Sequence, residues 1–286
     1  MKLQFFNPCF GVPENSFGGA TFGFAGHSDE RAPRAEVWPD DLSGVMVCGS
    51  YEACLDALPE RSWKAGIAML GNGGGEDAFI RALSAKTRAP LTGGGAAIDP
   101  DDGTAGLITG RGQAAVFMLD DDRFDFSVEC ENIHREILGE HALGFTDPRV
   151  LDTVDGEDAA QWLSDRKVRM GLSPEDFEHL TFSDLDDVNA HLSCVNGRIR
   201  SGRDLCPRMR LRYAAPDRVQ TRMRRFYEDE NAIVFGCAGL KGILDAPLDT
   251  PGLGLFMFGE VCTGASGSFF GNLMLSKLCI RRKQGR

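Results

Sequence analysis

The sequence predicts a mixed α/β protein, and three observations support this prediction. Short apolar runs recur along the chain and end at glycines, as buried strands do. Amphipathic segments follow two of these runs, which is the strand–loop–helix order of α/β units. The chain of 286 residues is longer than one ordinary core requires and is suited to two. We therefore expect two interlocked subdomains, residues 1–149 and 150–286, with mixed central sheets and helices on the outside.

The N-terminal half contains alternating strand and helix signals. Its start is rich in Gly, Pro and Phe and predicts loops with a hairpin near Gly18-Gly19. Ser50 is a good N-cap for an amphipathic helix that stops at Pro59. The predicted elements are a strand at 42–48, that helix, a strand at 65–70, a glycine loop and helix through 83, a buried strand at 114–119, and a half-exposed strand at 124–128.

The C-terminal half opens with a strand at 150–154, a turn at Asp155-Gly156 and a helix from 157 to 163. Ser173, Pro174 and the acids after them indicate a helix start. Asn196-Gly197 is a tight-turn signal between two short alternating runs. A basic helix at 219–227 and strands at 232–235, 254–258 and 273–278 complete the prediction.

The charge balance and the cysteines restrict the function classes. The net charge is −11, and an acidic surface repels nucleic acid and anionic lipid. Residues 198–225 are an exception with ten arginines and two acids, but no aromatic stacking platform accompanies them. The nine cysteines form no Cys-x-x-Cys pair, no secretory signal opens the chain, and no apolar run approaches the ~20 residues of a membrane span. We expect a cytoplasmic protein with free thiols, no membrane contact and no nucleic-acid partner.

Four residues are candidates for chemistry from the sequence alone. His134 and His141 are seven apart and would share one face of a helix, so haem ligation is an alternative function. Cys237 ends an apolar strand at a Gly corner, where it is either a nucleophile or a buried structural thiol. Glu260 follows a very apolar strand and is costly to bury unless it is paired or lies in a polar site.

Five segments together resemble the FIST family. Residues 234–239 resemble the strand and Cys-x-Gly signature of its C-terminal region, and residues 254–261 resemble its Gly-Phe-x-x-x-Gly-Glu-Ile stretch. Residues 269–278 are similar to its closing Phe-x-Asn strand, 151–159 to its Leu-Asp-Gly-x-Pro-Ala turn, and 90–97 to its N-terminal Gly-Gly segment. The chain departs from the pattern at Leu240, where a basic residue is usual, and at Glu157-Asp158.

The resemblance implies a sensory or scaffold module that binds a small molecule or a signalling protein and has no catalytic activity of its own. Haem sensing through His134 or His141 and a Cys237-dependent enzyme remain the alternatives. No resident cofactor or metal is expected otherwise. The expected ligand-binding residues are Gly93, Gly94, Gly95, Cys237, Gly239, Gly259, Glu260 and Asn272.

Overall fold

The structure is a computed structural model, and it shows a mixed α/β fold, which confirms the predicted fold class. It describes residues 4–5, 35–36, 43–71, 74–96, 114–173, 176–229, 232–237, 239–240, 253–257 and 259–283. The hairpin predicted near Gly18-Gly19 lies outside these residues.

The elements alternate along the chain as follows. The strands are β1 (Gln4–Phe5), β2 (Ala35–Glu36), β3 (Gly44–Gly49), β4 (Ala65–Gly71), β5 (Leu91–Ala96), β6 (Ala114–Leu119), β7 (Phe124–Glu131), β8 (Glu136–Gly144), β9 (Val150–Leu151), β10 (Thr153–Val154), β11 (Glu157–Asp158), β12 (Leu180–Ser183), β13 (Asn189–Ala190), β14 (Leu192–Val195), β15 (Arg198–Ser201), β16 (Arg208–Tyr213), β17 (Ala232–Cys237), β18 (Leu253–Met257), β19 (Glu260–Gly264), β20 (Gly267–Gly271) and β21 (Leu275–Arg282). The helices are α1 (Tyr51–Ala57), α2 (Glu76–Thr87), α3 (Ala159–Arg169) and α4 (Pro216–Phe226).

The helices begin where their sequences carry start signals. Ser50 caps α1, accepting the Ala53 N–H at 3.1 Å as predicted. Asp158 caps α3 in the same way, and Pro216 occupies the first turn of α4. The helix predicted from Ser173 is wrong: the described residues 176–179 are not helical, because Asp176 accepts the His179 N–H and the chain then enters β12.

A six-stranded mixed sheet, with the order β20-β19-β5-β4-β6-β3, forms one layer. Strands β4 and β5 are parallel, and the other pairs are antiparallel. Both β4 and β6 are buried along their whole length. Helices α1 and α2 pack their apolar sides on this sheet, and Tyr51 stacks on Phe79 at 4.5 Å between the ring centroids.

A second sheet, with the order β18-β17-β21-β7, contains the strand that ends at Cys237. A third sheet, with the order β11-β10-β8-β16-β12-β13, and the small sheet β14-β15-β9 enclose a separate core with α3. The tight turn predicted at Asn196-Gly197 joins β14 to β15, and both residues have positive φ, at 51° and 75°.

Strands from both sides of residue 150 meet in each of the three larger sheets. The first sheet joins β3 to β6 with β19 and β20, the second joins β7 with β17, β18 and β21, and the third joins β8 with later strands. The hairpin of β19 and β20 is absent from the sequence prediction, because its Gly-rich turn masks the alternation on both sides. The boundary at residue 150 remains a prediction.

Candidate functional site

A cavity of about 300 Å³ lies where several separate segments of the chain meet. Four of the predicted ligand-binding residues line it, namely Cys237, Gly239, Gly259 and Asn272. The other lining residues are Glu76, Arg149, His191, Gly202, Met257 and Phe270. This volume is at the lower end of the range for small-molecule sites in proteins.

Cys237 forms the inner wall of the cavity at the end of β17. Its side chain is buried, and its backbone N–H donates to the Met274 carbonyl at 3.3 Å. Burial raises the pKa of the thiol, and the neighbouring Glu260 carboxyl raises it further. Hydrogen bonds from the backbone N–H groups of Leu273, Gly239 and Gly259 act in the opposite direction. The thiol is therefore protonated at neutral pH, which is the state of an unreactive cysteine.

Glu260 lies directly behind Cys237 and has no exposed surface. Its Oε2 accepts the Met274 N–H at 3.1 Å, whereas its Oε1 has no hydrogen-bond partner among the described residues. Burial raises the pKa of this carboxyl well above its ordinary value, and the hydrogen bond from Met274 opposes that shift. One residue, Met274, thus holds both Cys237 and Glu260 through its backbone.

The glycines of β5 support the site without lining the cavity. Gly94 pairs with Glu260 across the two strands, and the Gly95 N–H donates to the Gly259 carbonyl at 3.0 Å. A Cβ on Gly94 would lie 2.6 Å from the Gly259 oxygen, and one on Gly93 would lie 2.0 Å from the Ala68 oxygen. These glycines allow β4, β5 and β19 to approach closely, so their role is in packing.

The polar wall of the cavity is formed by Asn272 and His191. The Asn272 Oδ1 accepts the His191 N–H at 3.4 Å, while no hydrogen bond to the Asn272 Nδ2 is found in the described part of the chain. Burial lowers the pKa of His191, so its ring is neutral at neutral pH. The wall therefore offers an amide donor and a neutral imidazole, which suit a polar organic molecule better than a bare ion.

Two glycines give the cavity its shape. Gly259 has φ of +85°, and a Cβ there would lie 2.4 Å from the Phe270 ring and 2.9 Å from the Asn272 Nδ2. A Cβ on Gly202 would lie 2.7 Å from the Asn272 Oδ1. Side chains at either position would push Asn272 out of its place, so both glycines keep the polar wall in position.

Six lining residues escaped the sequence prediction. Arg149 pairs with Asp204 at 2.9 Å near the cavity rim, and the Glu76 Oε1 accepts the Gly74 N–H at 2.7 Å at the start of α2. The acidic start of α2 was visible in the sequence, but no local pattern links it to a strand almost two hundred residues later. His191, Gly202, Met257 and Phe270 carry no motif at all, and only the tertiary fold brings them to the site.

The two haem-ligand candidates do not share a helix face, contrary to the geometry that was expected. His141 lies in β8 and His134 in the loop before it. The His134 Nε2 is 2.6 Å from the Glu178 carbonyl oxygen, and burial lowers the pKa of His134 to about 4. The His141 Nδ1 is 2.7 Å from Asp155 Oδ2, and its ring packs against Trp162 at 4.9 Å between centroids. Neither histidine lines the cavity.

The arginine-rich segment makes ion pairs within the protein. Five of its ten arginines pair with acids in the described part of the chain; they are Arg203, Arg208, Arg210, Arg212 and Arg218. This segment is therefore used largely to join strands and loops of the third sheet. A larger surface depression of about 470 Å³ lies beside Trp63 and the end of α2, and exposed charged side chains such as Arg61 and Arg88 line it.

The described residues contain no group of three or more His, Cys, Asp or Glu side chains arranged to hold a metal ion. Among the helices that the structure describes, none has the length and apolar character to cross a bilayer.

Comparison with known proteins leaves the family open. No protein-family model matches the chain, and no curated protein matches it. Membership of the FIST family therefore stays a prediction from the five motifs.

Proposed function

We propose that this chain is a cytoplasmic sensory module of the FIST type that binds a small polar organic molecule in the cavity at Cys237 and Asn272. The convergence of four predicted residues from separate stretches on one cavity is the observation that supports it most strongly. The polar groups there, the Asn272 amide and the His191 imidazole, are placed to orient a ligand, while Met257 and Phe270 supply apolar contact. A separate signalling protein would bind the liganded form of this chain and so respond to the ligand.

Catalysis by Cys237 is disfavoured by the burial of its thiol beside Glu260. A nucleophilic cysteine needs a lowered pKa, and burial together with Glu260 raises that of Cys237. Haem binding is not part of the proposal, because the candidate histidines lie outside the cavity and one nitrogen of each is close to a protein oxygen.

Native mass spectrometry of the protein purified from cells without denaturation tests this proposal. We expect a reproducible additional mass that is lost on denaturation and is therefore not covalently attached. Asn272→Ala removes the amide donor and should weaken binding of the identified molecule roughly three- to tenfold, the value of one hydrogen bond.

A matched control variant distinguishes binding in the cavity from binding in the larger surface depression. Lys86→Ala lies in the larger surface depression and should leave the additional mass unchanged. A clean unliganded mass for the wild-type protein, or a molecule lost in Lys86→Ala and kept in Asn272→Ala, would contradict the proposal.

A further inference from the structure

A pair of cysteines that does not line the cavity lies between two sheets. Cys130 lies near the end of β7 in the second sheet and pairs with Ser276 of β21. Cys262 lies in the middle of β19 in the first sheet and pairs with Phe269 of β20. No motif in the sequence links these two residues, which are 132 positions apart in the chain.

The sulfur of Cys130 accepts a hydrogen bond from the backbone of the neighbouring sheet. The Thr263 N–H donates to the Cys130 Sγ at 3.0 Å. Because the Thr263 nitrogen is bonded to the carbonyl carbon of Cys262, this contact brings the Cys130 sulfur beside the Cys262 backbone. The Cys262 Sγ donates to the Leu275 carbonyl at 3.9 Å and the Cys130 Sγ donates to the Ser276 hydroxyl at 3.7 Å, and the two thiols are close enough for each to shift the pKa of the other.

The two thiols differ in exposure and in acidity. Cys130 is partly exposed, whereas Cys262 is completely buried among Val188, Phe269 and Met274. The neighbouring Cys262 side chain lowers the pKa of Cys130, burial opposes that shift, and the Thr263 N–H adds to the lowering. Burial raises the pKa of Cys262. A partly exposed cysteine with a more acidic thiol, beside a second thiol, is the arrangement found in redox-sensing cysteines.

We propose that Cys130 and Cys262 are an oxidisable thiol pair, in which Cys130 reacts with a peroxide and Cys262 then closes a disulfide between β7 and β19. In the first step the Cys130 thiolate attacks one peroxide oxygen, an S–O bond forms, the O–O bond breaks, and the departing hydroxide takes a proton to become water. In the second step the Cys262 sulfur attacks the Cys130 sulfenic acid. The S–S bond forms, the S–O bond breaks, and the hydroxide leaves as water with the Cys262 proton. The two thiols supply the two electrons that reduce the peroxide.

The proposed oxidation of Cys130 and Cys262 does not depend on a ligand in the cavity. It would covalently join the two sheets whose residues line that cavity. Cys237 and Glu260 belong to the same two sheets, at the end of β17 and the start of β19 respectively. Glu260 and Cys262 are two positions apart and therefore point to the same side of β19. A disulfide at Cys262 would thus form beside the inner wall of the cavity.

The test uses the fully reduced wild-type protein and hydrogen peroxide. After exposure, the protein is denatured in the presence of N-ethylmaleimide so that every free thiol is blocked, and the linked peptides are identified by mass spectrometry without reduction. We expect the loss of two blockable thiols per chain and a Cys130–Cys262 linked peptide. If Cys130 stays reduced while the exposed Cys194 is oxidised, or if the disulfide joins another pair, the proposal is overturned.

Three variants assign the order of the reaction. Cys262→Ser should stop the disulfide and leave a sulfenic acid on Cys130 that dimedone traps. Cys130→Ser should leave Cys262 unreactive, because that thiol is buried. Cys194→Ser, an exposed cysteine in β14, is the matched control and should form the disulfide at the wild-type rate. Should a core variant fail to fold, the wild-type peptide map alone decides the outcome.

Discussion

Glu260 keeps a carboxyl group inside the protein, where its Oε2 accepts the Met274 N–H. The neutral form is favoured there, because burial penalises the charge. The unfolded chain ionises Glu260 near its ordinary pKa of 4.5, while the folded chain retains the proton to higher pH. Stability from this group is complete below pH 4.5 and is lost as the pH rises through the folded-state pKa.

Replacing this carboxyl isolates its effect on stability. In Glu260→Gln the amide oxygen still accepts the Met274 N–H, but no proton is bound or released. Relative to this variant, the wild-type free energy of unfolding should fall by roughly 1 kcal/mol per pH unit above pH ~4.5 until the folded state also ionises. Urea unfolding at a series of pH values measures this difference.

The exposed Glu157→Gln in β11 is the matched control, and its unfolding curves should run parallel to those of the wild type. Parallel curves for Glu260→Gln as well would show that Glu260 ionises over the same pH range in the folded and unfolded protein, which would contradict the prediction.

Cys237 is a candidate because it ends an apolar run at a glycine corner, whereas Gly259 and Asn272 are candidates because their segments resemble FIST motifs. All three line the cavity. His191 and Arg149 were not candidates, because their surrounding sequence is ordinary and only the tertiary fold brings them to the site.

At the scale of elements, the contact of β5 with β19 determines the position of Glu260. The strands run together through Gly93 and Gly94, which face Val261 and Glu260 across the ladder. A methyl group on Gly94 would lie 2.6 Å from the Gly259 oxygen and 2.8 Å from the Met257 Cβ. Backbone atoms cannot move aside as the end of a flexible side chain can, so the two strands would have to separate.

Gly94→Ala should therefore destabilise the protein by about 1–3 kcal/mol or more, as overpacking does in other cores. Gly264→Ala in the same sheet is the control, because its Cβ would first meet the end of the Phe269 ring, at 3.3 Å. We expect the control to cost less than about 1 kcal/mol in chemical denaturation. Equal losses for the two variants would mean that the strands tolerate a side chain at their contact.

Element prediction succeeded where one signal dominated. Strands β4 and β6 are continuous apolar runs, and α1 has both a cap and a terminating proline. It failed at the described residues 176–179, where the start signal at Ser173 is overridden by the strand that begins at Leu180. Local propensity differs little between the alternatives there, and tertiary contacts decide between them.

At the scale of the whole molecule, each of the three larger sheets contains strands from both halves of the chain, so we expect the two halves to fold together. Strand β7 pairs along its full length with β21, and β5 pairs with β19. A chain cut at residue 150 would leave unpaired backbone groups and apolar edges on both pieces.

Fragments 1–149 and 150–286, expressed separately, should each lack a cooperative thermal transition and should bind a dye for exposed apolar surface. Circular dichroism and dye fluorescence measure both properties, with the intact chain as the control. A cooperative transition in either fragment alone would show that the predicted boundary separates independent domains.

The sequence predicted the fold class, because the order of apolar runs and helices is a local property. The pairing of strands between the two halves depends on residues far apart in the chain, so local sequence patterns do not predict it. The cavity forms from those pairings, so only the part carried by motifs could be anticipated.

The close contact at Gly93, Gly94 and Gly259 also limits how this protein can diverge over evolutionary time. Any side chain at these three positions would clash with backbone or ring atoms. Neighbouring exposed positions have no such steric restriction and can accept more substitutions. In distant descendants of this sequence, the three glycines would outlast most of the residues around them. They would then mark common ancestry after overall similarity has faded.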